Sequence, residues 1–131
     1  MVLGLPVQIM SIKNFEEIEA WKESRKLSGL MYRLTEKRLF SKDFGLKDQI
    51  QRAAVSCASN IAEGFDSGTN QQFIQFLLYS RRSSSEVQSI LYIALDRGYI
   101  TEPEFQDAYN QAKTVGKLIN GFITYLKNAK R

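Results

Sequence analysis

The apolar residues Phe105, Ala108, Ala112, Val115, Ile119, Phe122 and Leu126 recur in alternating steps of three and four. At 3.6 residues per turn that spacing lays them on one stripe of a helix, which must be buried against matching stripes elsewhere. The chain supplies three more. Phe73, Phe76, Leu77, Ser80, Ser84, Val87, Leu91, Ala94 and Leu95 share a face of a third helix, and Leu46, Ile50, Ala53, Cys57 and Ile61 share one of a second. Leu27, Leu30, Met31 and Leu34 mark the first. No strand pattern, internal repeat or low-complexity segment competes with this reading, so a solenoid of repeated helix pairs is not expected.

The helix ends are legible. Asn14 with Glu17, Thr69 with Gln72 and Thr101 with Glu104 have the capping-box spacing, in which two side chains satisfy free amides at a helix start. Pro103 falls in a first turn, where its missing N–H does no harm. The second helix is expected to open near Ser41 or Asp43 and to end around Gly64 to Gly68; the third ends at Arg97-Gly98. Short connections between long helices make consecutive helices antiparallel, so the predicted fold is an all-α, up-and-down four-helix bundle over residues 14–131, with residues 1–13 as an N-terminal tail. A chain of 131 residues with 44% hydrophobic content can build that one core without a metal or disulfide.

The composition removes most enzyme chemistry. There is no histidine, so Ser-His-Asp and Cys-His pairs, the HExxH zinc site and the Glu-x-x-His pairs of di-iron bundles cannot be assembled. Cys57 is the only cysteine, lies on an apolar stripe and has no base nearby in the pattern. No glycine-rich phosphate loop occurs. A non-enzyme without metal or organic cofactor is therefore expected. The lack of a disulfide framework, of a secretory signal in residues 1–10 and of an apolar run of membrane-spanning length points to the cytoplasm.

What remains is surface. The net charge is +4, which favours anionic partners. Lys22, Lys26, Arg33 and Lys37 line the outer side of the first helix, with Lys113 and Lys117 on the last, and these six are the candidate nucleic-acid contacts. Intrahelical pairing with Glu19, Glu23 and Glu36 is the plainer account of the first four. With no sequence-reading motif present, binding would be to phosphate or shape. Trp21, Arg25 and Tyr32 form an aromatic strip of the kind favoured at interfaces, unless Trp21 only widens the core. Arg52, Ser56, Ser59, Asn60 and Glu63 make a narrow polar face on the second helix, flanked by Ala58 and Ala62. That face is either solvated or an oligomer contact. Trp21, Arg25, Tyr32, Ala58 and Ala62 are the candidate assembly residues.

Several stretches also resemble a known family. They are residues 15–22 (Phe15 to Lys22), Phe44-Gly45-Leu46 with Gln49 to Ser56, Ser59 to Gly64, and Ala94 to Ile100 with its Gly98-Tyr99-Ile100 ending. From about Phe15 to Leu126 the chain resembles the bacterial four-helix-bundle proteins first noticed as open reading frames within intervening sequences of 23S ribosomal RNA. The resemblance implies a bundle assembled into a ring or barrel, commonly a pentamer, with no assigned catalysis. It also implies kinship with accessory proteins of diversity-generating retroelements, which bind nucleic acid and a reverse transcriptase through basic surfaces. Gln51 stands where the family usually has Arg, and Cys57-Ala58 where it has Ile-Pro, so a straighter second helix is expected. The combined expectation is a homo-oligomer that binds RNA or DNA with little sequence preference, accessory to an RNA-processing or reverse-transcribing enzyme. The alternative is a protein–protein interaction module.

Overall fold

The computed structural model describes residues 12–129. It contains four long helices, α1 (Glu19–Thr35), α2 (Phe44–Phe65), α3 (Asn70–Asp96) and α4 (Glu102–Asn128), with 3-10 turns at Phe15–Glu17 and Phe40–Lys42. Each helix packs on its sequence neighbours and α4 closes on α1, which makes the antiparallel four-helix bundle. Most of the expected N-terminal tail lies outside the described residues; Ile12, within it, packs against the core.

The start signals hold at three helices and shift at one. Thr101 and Glu104 form the complete reciprocal box, with the Thr101 N–H donating to Glu104 Oε1 at 2.8 Å and the Glu104 N–H to Thr101 Oγ1 at 3.3 Å. At Thr69 only half of the box forms: Oγ1 accepts from the Gln72 N–H at 3.1 Å, and the Gln72 side-chain oxygen accepts from the Thr69 hydroxyl, not from its N–H. Of the two starts expected for α2, Asp43 is the cap: its Oδ1 accepts from the Leu46 N–H at 3.1 Å, while Oδ2 accepts from the Tyr99 hydroxyl at 2.8 Å. Asn14 and Glu17, by contrast, close only the first 3-10 turn, and α1 begins at Glu19. The reason is Ile18, which is extended and 2% exposed. Turning that side chain into the core breaks the helix and lets Phe15 pack edge-on against Trp21, ring centroids 5.2 Å apart. At the end of α3 the Tyr99 N–H reaches the Ala94 carbonyl and the Gly98 N–H reaches that of Leu95, with Gly98 at φ 72°. These paired bonds, with the left-handed residue that only glycine adopts cheaply, are a Schellman stop.

All seven residues of the α4 stripe are buried; the other three stripes are mostly buried, with Leu30, Leu46, Phe76 and Leu95 half-buried. The structure adds Ile90 and Ile123 to the apolar interior, and Ala54 on α2. Four buried hydroxyls are satisfied locally or across a seam: Ser24, Thr35 and Ser84 donate to carbonyls of their own helices, and Ser80 donates to the Cys57 carbonyl of α2 at 2.7 Å. Helix α2 runs unbroken from Phe44 to Phe65, with Cys57 and Ala58 in its interior. Cys57 is fully buried, and desolvation pushes its thiol from the ordinary 9.0 to about 12.

Two outcomes follow for stability. A Cβ on Gly64 would lie 2.8 Å from both Phe73 Cδ1 and Phe76 Cβ. Gly64→Ala should therefore destabilise the bundle by about 1–3 kcal/mol in urea melts, the usual size of an overpacking effect. The raised Cys57 pKa means that the folded chain keeps a proton which the unfolded chain releases. That contribution to stability is full below the ordinary thiol pKa and is lost as pH rises from 9.0 towards about 12. Cys57→Ala should have a shallower decline over that alkaline range than the parent chain, measured by thermal melts against pH.

Candidate nucleic-acid interface

Helix α1 buries Leu27, Met31 and Leu34 and turns its other side outward. Because residues three and four apart are neighbours on a helix, Lys22, Arg25, Lys26, Gly29 and Arg33 converge on that outer side. With Trp21 they line an open groove of about 500 Å³. Four of the six lining residues are cations and none is acidic. The Arg25 guanidinium lies over the Trp21 ring at 5.9 Å, and Phe15 holds the ring from its edge. Trp21 is half-buried, so it is anchored at one side and open to the groove at the other.

The structure thus joins two features that the sequence kept apart. Lys22, Lys26 and Arg33 share one groove with Trp21 and Arg25 of the aromatic strip. Tyr32 leaves that strip. It lines a second groove of about 440 Å³ with Gln51, Arg52, Val55, Ser56, Ser59, Asn60 and other residues of α2. Tyr32 is 47% exposed and Val55 40%, so this polar surface carries open apolar area. Ala58 and Ala62 flank it, half-buried. A third hollow of about 340 Å³ opens between α2 and α3, where Ser83 donates to Ser56 Oγ at 2.9 Å and Gln49 to Glu86 at 3.2 Å.

The other predicted contacts lie elsewhere. Lys37 Nζ is paired with Glu104 Oε1 at 2.6 Å and ties the end of α1 to the start of α4. That lysine, with the Thr101 amide, holds the Glu104 carboxyl below the usual range. Lys26 also has a partner, Glu23, at 2.9 Å, but its side chain remains 68% exposed. The bond raises the Lys26 ammonium pKa. Lys113 and Lys117 are exposed on α4 and do not line the groove. Near them is Arg81 of α3, which donates to Asn120 at 2.9 Å, one helical turn beyond Lys117. Arg81 was not among the expected contacts. The only hint in the sequence is that α4 carries no acidic residue after Asp107.

Among the described residues, no group of three or more His, Cys, Asp or Glu side chains could hold a metal, and no helix is long and apolar enough to cross a membrane.

The family model of the 23S rRNA-intervening sequence protein matches residues 16–121. The chain belongs to that family. Among solved structures, it is similar to a protein of unknown function from the S23 ribosomal protein family of Bacteroides thetaiotaomicron VPI-5482, with a TM-score of 0.75. Sequence identity is 22%, over 79% of this chain and 97% of that one, a likeness that concerns the fold. No curated protein matches this chain. For this member of the 23S rRNA-intervening sequence proteins, the matched span covers the α1 groove, the α2 polar face, and both Lys113 and Lys117.

The Lys37–Glu104 pair is about one-third exposed at both side chains, so solvent screens it. A double-mutant cycle of Lys37→Ala and Glu104→Ala should give a coupling energy of about 1 kcal/mol or less, falling with added salt.

Proposed function

We propose that this chain is a non-enzymatic, homo-oligomeric bundle that binds RNA or DNA electrostatically, with little sequence preference. The observation that carries this reading is the α1 groove, where four cations and a tryptophan meet without a carboxylate among the lining residues. Cations that neutralise phosphates release condensed counterions, and an aromatic ring adds a surface on which any base can stack. Lys113, Lys117 and Arg81 supply a second basic patch on the α3–α4 side. Lys37, tied to Glu104, contributes long-range charge.

Assembly is assigned to the neighbouring surface: Tyr32, Val55 and the α2 polar face, with Ala58 and Ala62. Trp21 and Arg25 then belong mainly to the nucleic-acid side. A closed ring needs two different patches on each chain, and it multiplies the +4 charge; a pentamer, the number the family resemblance suggests, would carry about +20. Such an assembly suits an accessory role beside an RNA-processing or reverse-transcribing enzyme in the cytoplasm. The mixed-charge α2 face favours a second reading, a protein-interaction module whose basic excess serves solubility.

Gel-shift titrations with random-sequence RNA and DNA separate the two. The logarithm of affinity should fall with the logarithm of salt at a slope of roughly 0.7–0.9 per phosphate contacted. Lys26→Glu with Arg33→Glu should weaken binding and flatten that slope without changing helical content or the oligomer size seen by light scattering. Binding indifferent to salt and to these reversals, or no binding at micromolar protein, would leave the interaction module. A monomer at all concentrations would remove the assembly.

A further inference from the structure

Gly29 is the residue of the groove that the fold does not explain. It sits in the interior of α1, where glycine is disfavoured by roughly 1 kcal/mol relative to alanine. Its backbone does not require the exchange, since the positive-φ glycines among the described residues are Gly68 and Gly98. Packing does not require it either. A Cβ there would meet Arg33 Nη1 at 3.6 Å, an ordinary contact with the tip of a flexible side chain. Gly64 is the contrast, because there the same atom would strike Phe73 and Phe76 at 2.8 Å. What the missing side chain does at position 29 is lower the floor of the groove between Arg25 and Lys26 on one side and Arg33 on the other.

A bare backbone ringed by cations is a place where another backbone can come close. A phosphodiester fits the charge. The run from Lys22 to Arg33 spans roughly 16 Å at the helical rise, enough for a few nucleotides and short for a duplex reader. At one end stands Trp21, fixed by Phe15 and topped by Arg25. A base in a duplex is already stacked on both faces, so a ring placed here is of use only to an unpaired base.

We propose that the α1 groove takes a short single-stranded stretch of nucleic acid, with a phosphate over Gly29 drawing the Arg25 guanidinium off the Trp21 ring to join Lys26 and Arg33, and an adjacent base taking its place on that ring. This rests on the nucleic-acid reading above and specifies its strandedness and its seat. Both RNA and DNA offer the required phosphate and base, so the probes include each.

Trp21 is the only tryptophan in the chain, so its fluorescence reports the groove directly. Short oligo-dT, oligo-rU and a blunt DNA duplex of equal length are titrated into the full-length protein, with inorganic polyphosphate as a polyanion without bases. Both single strands should quench Trp21 and bind at least about fivefold tighter than the duplex, the lower end expected for one base–aromatic stack. Polyphosphate should bind without quenching by stacking. Gly29→Ala should raise the melting temperature yet weaken the single strands several-fold, a pairing that misfolding cannot produce. A preference between oligo-rU and oligo-dT would identify the source of the strand and support the seat either way. Salt-dependent binding with equal affinity for duplex, no quenching, or full affinity in Gly29→Ala would overturn this proposal while leaving the general reading standing. No binding to any nucleic acid would overturn both.

Discussion

The close approach of α2 and α3 at Gly64 sets the register on which much of the bundle depends. With no side chain at that position, Phe73 and Phe76 lie against the α2 backbone, at distances that a Cβ could not share. Phe73 in turn meets Phe122 of α4 at 5.1 Å and Phe65 at 6.2 Å, so one contact joins three helices. Further along the seam, the Ser80 hydroxyl donates to the Cys57 carbonyl, a bond available only where small residues let the helices come together. Ala53, Ala54 and Cys57 continue the small side of this seam. Close packing of this kind forfeits contacts steeply when it is loosened, which is why the seam fixes register and does not merely fill space.

That register decides which polar groups meet. Antiparallel α2 and α3, locked at Gly64 and Cys57, bring Ser56 to Ser83 and Gln49 to Glu86. The α2 polar face is thus tied at its α3 edge and open toward Tyr32 at its α1 edge. Helix α1 is held at its two ends by different means. Ile18 is buried at its start, and at its finish Lys37 pairs with Glu104 while Gln51 of α2 donates to Thr35 at 2.9 Å. Between those anchors Lys22, Arg25, Lys26 and Arg33 are exposed on its outer side, free of a role in the core.

The fold was largely legible because burial and capping both depend on short-range spacing. The α4 stripe and the Thr101–Glu104 box are properties of residues three and four apart, and they survive in three dimensions unchanged. The start of α1 departs from its capping signal because the Asn14–Glu17 spacing is local while the burial of Ile18 is tertiary; the core took Ile18, and the helix gave way. The site was half legible. Positions 21, 22, 25, 26, 29 and 33 share a face by helical geometry alone, yet by residue type they divide into an aromatic strip and a basic line, and Gly29 belongs to neither. Arg81 was out of reach, because its nearness to Lys117 depends on the α3–α4 register seen in its bond to Asn120.

Carboxylates flank the α1 groove on both sides, and that confines its positive charge to a narrow row. On the side toward α4, the Glu23 carboxylate accepts from Gln111 at 3.0 Å and from Lys26 at 2.9 Å. Gln111 first, and Lys26 after it, hold that carboxyl below its ordinary pKa, so it stays ionised and competes with any phosphate for Lys26. On the side toward α2, Tyr32 lines a second groove that includes the carboxylates of Asp48 and Glu63. The proposed single strand is therefore confined between these carboxylates, on Lys22, Arg25, Gly29 and Arg33, with Lys26 shared between its phosphate and Glu23. Glu19, three residues before Lys22, and Glu36, three after Arg33, put an exposed carboxylate near each end of that row. Repulsion at both ends favours a segment of a few phosphates over a long continuous track along the helix. On the proposed reading of the chain as a nucleic-acid-binding homo-oligomer, longer nucleic acid would have to pass from one copy's groove to the next, and the spacing of copies, not the length of α1, would set how much of a strand is held.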